Sequence, residues 1–159
     1  MNVTVIGLGK LGAVLAAILA DAGHHVVGVD LNERSVDLIN KGIAPVEETG
    51  LQALLDGLDD GALTATRFAV VAANSDITMV VVPTPSGPDD LFTSSYVEDA
   101  VVGIGNALRV RRALDGHQPW HTTVICSTLT PGTMDDVIVP LLEEAAEVIQ
   151  RATKMQRFG

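Results

Sequence analysis

"VTVIGLGKLGAVLAAILADAGHHVVGVD" runs from Val3 to Asp30, and its reading decides the fold. The β-branched run Asn2–Ile6 ends at Gly7, the pattern of a buried strand. From Lys10 to Ala22, Leu11, Leu15, Ile18 and Ala22 recur at intervals of three and four, which predicts a helix with an apolar face. Gly23 stands where a glycine usually closes a helix. Val26–Val29 reads as a second strand, closed by Asp30. Strand, helix and strand in so short a stretch make a βαβ unit.

The same alternation continues to the C-terminus. Asn32 is placed to cap a helix through about Asn40, with Gly42 as its stop, and a short helix is expected over Thr49–Leu58. "LTAT" (Leu63–Thr66) reads as a brief strand, followed by a helical segment to about Asn74. Ile77–Val82 is the most hydrophobic strand, and "PTPSGPDD" after it is loop. A long helix is predicted over Tyr96–Leu114, then the polar loop "DGHQPWH", a strand over Thr122–Cys126, and a final helix from Met134 to about Ile149. The strands are continuously apolar, which belongs to a parallel sheet covered on both faces. The expected class is α/β: a Rossmann-type, doubly wound parallel sheet in three layers (α/β/α).

Composition narrows the partners. With 10 Lys and Arg against 20 Asp and Glu, the net charge of −10 argues against binding to nucleic-acid backbones, which depends on many basic contacts. The acidic balance reads as a solvated surface. The single cysteine, Cys126, excludes an intramolecular disulfide and a Cys-based zinc site. It precedes a polar loop at an apolar strand end and is expected to be a small buried hydrophobe. No metal site is expected: His24 and His25 lie between helix and strand, and His117 and His121 flank Trp120 with only Asp115 near. "AVLAAILADA" resembles an export signal, but no basic segment precedes it and the glycine pattern explains it better. No run approaches the ~18 apolar residues of a membrane span. A soluble, cytoplasmic protein is the expectation.

Gly7, Gly9 and Gly12 have G-x-G-x-x-G spacing between a strand and a helix. Gly7 permits the tight turn, Gly9 leaves room for a pyrophosphate, and Gly12 lets helix and strand pack closely. The helix start then offers N–H groups and positive dipole to phosphates, which is how an acidic protein can hold an anion. Asp30 ends the next strand, 18 residues after Gly12, where a carboxylate bonds the adenosine ribose hydroxyls and repels a 2′-phosphate. NAD is therefore the expected cofactor. Capping of the following helix is the alternative role for Asp30. Arg34 is near enough to stack on adenine or to accept a phosphate.

Two further loops leave the carboxyl ends of strands, where such sheets bind ligands: "VVPTPSG" and "CSTLTPGT". Thr84 and Thr128 stand just beyond the strands, placed for hydrogen bonds to the ribose, the nicotinamide end or a water. Thr133, or Thr130 before Pro131, is placed to cap the final helix.

Together these motifs resemble the N-terminal NAD-binding domain of the UDP-glucose/GDP-mannose dehydrogenase family. "GLGKLG" resembles its glycine turn and "VD" its ribose acid. "NKGIAPVEETGL" is similar to its PIxExGL element through Pro45, Glu48, Gly50 and Leu51, and "VVVPTPSG" and "STLTPGT" to its later loops. The resemblance covers roughly residues 1–146. It implies oxidation of the C6 alcohol of a nucleotide sugar to a carboxylate with two NAD, through a cysteine thiohemiacetal and a thioester. It implies cofactor contacts for Gly7, Gly9, Lys10, Leu11, Gly12, Asp30, Arg34, Thr84, Pro85, Ser127 and Thr128. Lys10 and Leu11 would meet the pyrophosphate through main-chain N–H groups, and Thr128 would also position the catalytic water. The chain departs from the family at Lys10, usually aromatic there, and at Ser35, usually basic.

The family's glutamate loop, central helix, catalytic lysine and asparagine, and nucleophilic cysteine have no counterpart here; Cys126 is not that nucleophile. The expected organisation is a dinucleotide-binding domain over 1–149 and a basic tail over 150–159, without substrate and central-helix domains. By this reading the chain binds NAD(H) and lacks the chemistry by itself. A nucleotide sugar would be a partner only when a second domain or chain completes the site. A stand-alone NAD(H)-binding sensor or regulatory module, without catalysis, is the alternative function. A homodimer, or association with a full-length homologue, is expected through an apolar patch near Val137–Leu142.

Overall fold

A computed structural model describes residues 1–86, 92–116 and 120–155. Five strands, β1 (Asn2–Ile6), β2 (His25–Val29), β3 (Leu63–Thr66), β4 (Ile77–Val80) and β5 (Thr122–Ile125), form one sheet in the order β3-β2-β1-β4-β5. Every pairing is parallel, with Val5 opposite Gly28 on one side and Met79 on the other. The chain runs outward from β1 in one direction through β3, returns, and runs outward in the other. The turning point lies between β1 and β4, where the connections leaving their carboxyl ends lead to helices on opposite faces of the sheet. The crevice at such a point is where doubly wound sheets hold ligands.

Each face of the sheet carries its own core. Helices α1 (Lys10–Asp21) and α3 (Leu51–Asp56) cover one face, burying Ala13, Ala16 and Ala17 against Val3, Val5 and Val26. The small alanines answer the scarcity of aromatics: they bring α1 close, so that valines and leucines fill the layer. Helix α4 (Ser95–Asp115) covers the other face, burying Val97, Val101 and Ile104 with Ile6 and Val80. Helix α2 (Glu33–Asn40) turns only Val36 and Ile39 inward, and its cap is Asn32, whose side chain accepts from Arg34 N at 3.0 Å.

Several elements differ from expectation in extent. β4 closes at Val80 rather than Val82, because Val82 N donates not to a strand but to Ser127 Oγ at 3.0 Å. The segment before β4 is a 3₁₀ helix, Ala69–Asn74. The last helix opens with a wide π turn, Met134–Ile138, and continues as α5 (Val139–Met155), past Ile149. Pro140 accounts for the widening, since it has no N–H to give the carbonyl four residues back and its ring pushes that carbonyl away. Thr133 precedes the turn but makes no side-chain cap; its backbone is already helical, whereas a capping hydroxyl needs an extended residue. Ile138 is buried and Val137, Leu141 and Leu142 pack on the α4-side core, so only Val139 of the expected patch is an exposed large hydrophobe. Cys126 is exposed, not buried: it lies one residue beyond β5, and β5 is the outer strand. His117, residues 87–91 of the loop after β4 and tail residues 156–159 lie outside the described residues.

His121 anchors the start of β5. Its Nδ1 lies 2.9 Å from the Ser75 carbonyl, which requires the proton on Nδ1, and its buried Nε2 has no hydrogen-bond partner among the described residues. Burial holds the imidazole below its ordinary value of 6.5, assisted by the Arg111 charge; the Ser75 carbonyl and Asp76 act in the opposite sense. The unfolded chain therefore binds this proton more readily than the folded one. The histidine's contribution to stability is fully present above pH ~6.5 and is lost as the pH falls through the folded value. In His121→Asn the amide keeps the bond to Ser75. The wild type is expected to lose more melting temperature than this variant between pH 7.5 and 5.5; parallel curves would refute the assignment.

Candidate functional site

The site begins at the glycine turn. Gly7 has φ +98°, and a Cβ there would stand 2.4 Å from the Val81 carbonyl oxygen. A Cβ on Gly12 would stand 1.8 Å from the Gly7 carbonyl oxygen. Both glycines are thus demanded by the protein's own packing. Gly9 is different: its φ of −71° suits any residue, and a Cβ there would meet nothing within 4 Å. Packing among the described residues does not require glycine at that position.

Gly9 opens α1 without a side-chain cap, and the first turn carries no acidic residue. The leading N–H groups of a helix have no partner within it. At Lys10 and Leu11 they form an uncapped, positive helix end, an arrangement suited to a phosphate. The Lys10 ammonium reaches back to Glu48 Oε1 at 3.3 Å, both side chains at the surface. Glu48 sits on the segment between α2 and α3, shaped by Gln52, which accepts from Ala44 N and donates to the Gly42 carbonyl.

Asp30 ties the turn together. One carboxylate oxygen accepts from Leu8 N at 2.7 Å and the other from Asn32 N at 2.8 Å. It therefore links the glycine turn to the loop after β2 and leaves helix capping to Asn32. Leu8 is buried at 1% exposure and covers Gly28, where a Cβ would come within 2.7 Å of its side chain. Neither Leu8 nor Gly28 stood out as a site residue, although a lone glycine inside a strand signals such a close approach.

A cleft of about 430 Å³ opens beside the turn, between the ends of β1, β2 and β4. Ile6, Gly7 and Val82 line its inner part, and Asp30, Leu31 and Arg67 its outer part. Pro85 also lines it, whereas Gly9, Lys10, Leu11 and Gly12 stand at the adjoining helix start. Arg34 is exposed and does not line the cleft; Arg67, which sequence reading passed over, does.

Thr84 is half-buried and Thr128 exposed, on the loops that leave β4 and β5. Ser127 joins these loops: its hydroxyl accepts from Val82 N at 3.0 Å and donates to the Val82 carbonyl at 2.8 Å. The many hydroxyls of "CSTLTPGT" are thus divided otherwise than expected, with Ser127 bridging two strand ends and no hydroxyl capping the helix. Among the described residues no three His, Cys, Asp or Glu side chains converge as metal ligands would, and no helix is long and apolar enough to cross a membrane.

The model of the UDP-glucose/GDP-mannose dehydrogenase family, NAD binding domain, matches residues 1–156. A GDP-mannose 6-dehydrogenase of Pseudomonas putida is 40% identical over 150 residues, covering 92% of this chain and 32% of the relative. A UDP-glucose 6-dehydrogenase of Haloferax volcanii is 36% identical over 146 residues, 92% of this chain and 33% of that protein. The crystal structure of a ternary complex of GDP-mannose dehydrogenase from Pseudomonas aeruginosa superposes with a TM-score of 0.84 at 37% identity, covering 92% of this chain and 33% of that one. The chain thus spans about a third of the length of the relatives it matches.

Proposed function

Because the chain belongs to the UDP-glucose/GDP-mannose dehydrogenase family and corresponds to its NAD-binding domain, we propose that it is the cofactor half of a nucleotide-sugar 6-dehydrogenase. The observation that carries this reading is the empty space at Gly9, beside an uncapped helix start and the Asp30 carboxylate. In this reading the N–H groups of Lys10 and Leu11 bind the pyrophosphate, and Gly7, Gly9 and Gly12 let it approach. Asp30 uses its remaining lone pairs for the ribose hydroxyls. Thr84 and Thr128 hold the nicotinamide end, Thr128 also orienting a water. NAD supplies the hydride acceptor for oxidation of the sugar alcohol.

The rest of the reaction needs a nucleophile and a general base, and Cys126, the single cysteine, stands outside the cleft lining among the described residues. The nucleotide sugar is then bound only with a second domain or chain, and the whole works in the cytoplasm. Contact with that partner, or with a second copy, is expected on the α5 side, where Val139 is exposed.

The test is a fluorescence titration of the 159-residue chain with NADH and NADPH. NADH is expected to bind in preference by roughly tenfold or more, on the order of 1.4 kcal/mol. Asp30→Asn, which keeps an acceptor for Leu8 N but loses the charge, is expected to narrow that margin. Failure to bind either nucleotide would sink the reading. Turnover of UDP-glucose or GDP-mannose by this chain alone would sink its incompleteness.

A further inference from the structure

The cleft beside the glycine turn contains one basic residue that no motif accounts for. Among the described residues, Arg67 is the only Lys, Arg or His that lines it. Arg67 lies one residue beyond β3, in a bend where Phe68 N approaches Thr66 Oγ1 at 3.4 Å. Its guanidinium leans toward the start of α2, reaching Glu33 Oε2 only at 4.0 Å, with both side chains more than half exposed. So long and so exposed an ion pair holds its partners weakly. The arginine is available for something else.

What the cleft offers around it is apolar. Leu31, the residue after Asp30, lines the same cleft and is 79% exposed, with almost nothing of the protein covering it. Ala69, Pro85 and Tyr96 continue this lining. The acidic groups of the cleft are Asp30 and Asp99. A phosphate would need several donors and would meet two carboxylates. A flat, neutral, aromatic ring would meet an uncovered aliphatic side chain and a planar cation, both favourable. Guanidinium is weakly hydrated and stacks on aromatic faces, which an ammonium does less well.

We infer that Arg67 is the adenine-binding arginine of this protein, packing its guanidinium on the base while Asp30 holds the ribose. The inference rests on the proposed NAD site and adds to it a residue that sets affinity at the adenosine end. It also removes Arg34 from that role. Arg34 lies two residues before Val36 in α2, and a helix that buries Val36 and Ile39 turns Arg34 outward.

The experiment measures affinities of the purified chain for AMP, NADH and NADPH in the wild type, Arg67→Ala, Arg67→Lys and Arg34→Ala. Arg67→Ala is expected to weaken all three ligands by a similar factor of about fivefold to tenfold. Arg67→Lys is expected to weaken them nearly as much, because it keeps the charge and loses the plane. Arg34→Ala is expected to bind as the wild type does. Unchanged AMP and NADH affinity in Arg67→Ala would overturn the inference, as would a loss confined to NADPH and rescued by lysine, which identifies a 2′-phosphate contact instead. A loss in Arg34→Ala with none in Arg67→Ala would overturn it too. If the wild type binds no NADH, the cofactor site itself fails, and the inference with it.

Discussion

Gly9→Val is expected to fold like the wild type and to lose NADH binding. Among the described residues, none beyond the chain neighbours Leu8 and Lys10 comes within 4 Å of a Cβ at this position, and the backbone is one that valine adopts without strain. The cost to the fold is a slightly poorer helix start, on the order of 1 kcal/mol or less. In the proposed cofactor site the same side chain stands where the pyrophosphate approaches the α1 N–H groups. Losing two hydrogen bonds to charged oxygens, at about 1.5–3 kcal/mol each, weakens binding by roughly 100-fold or more. Thermal unfolding and NADH titration of the same sample separate the two effects. A Gly9→Val chain that binds NADH as tightly as the wild type would move the pyrophosphate away from this helix.

Gly12→Ala should do the reverse in the first measurement. Its methyl group would stand 1.8 Å from the Gly7 carbonyl oxygen and 2.9 Å from that carbonyl's carbon, both main-chain atoms of a turn closed by Gly7 N donating to Val29 O at 2.7 Å. Nothing there can rotate aside. Helix α1 must retreat from β1, opening the layer of Ala13, Ala16 and Ala17 that it buries. Overpacking of this kind costs about 3 kcal/mol, near the upper end of its range, which lowers the melting temperature by roughly 10 °C in a domain of this size. Binding is lost as well, but with the fold. A change in melting temperature below about 2 °C would mean that some other contact fixes the approach of α1 to β1. Two substitutions of glycine three residues apart in the chain therefore fail for opposite reasons.

Much of this was legible because the information is local. β-branched runs bounded by glycine become strands, whereas the apolar face expected on α1 is not the buried one: Leu11 and Ile18 are exposed, and the helix buries Ala13, Ala16, Ala17 and Ala20. The glycine turn and Asp30 are neighbours at the crevice because a βαβ unit has little freedom to place them elsewhere. What escaped depends on contacts between distant segments. Ser127 reads as one more hydroxyl in a polar loop, and only the parallel pairing of β4 with β5 brings it to Val82. Cys126 follows the apolar pair Val124 and Ile125, yet its exposure depends on β5 being an outer strand. Arg34 is close to Asp30 in sequence but is turned away by its helix, while Arg67, far off in sequence, arrives at the cleft because β3 lies beside β2. Thr133 has the right residue type for a cap and the wrong backbone.

The Asp30 carboxylate is bonded to Leu8 N as well as to its own loop before any nucleotide arrives. In the proposed cofactor site, selectivity and scaffold thus share one side chain. An attempt to re-engineer the chain for NADP by replacing this acid with a small or basic residue removes the repulsion of a 2′-phosphate and, in the same step, the acceptor that seats the glycine turn. Unless the replacement keeps an acceptor, as asparagine does, cofactor exchange here is a two-residue problem: one side chain must welcome the extra phosphate and another take over the Leu8 amide.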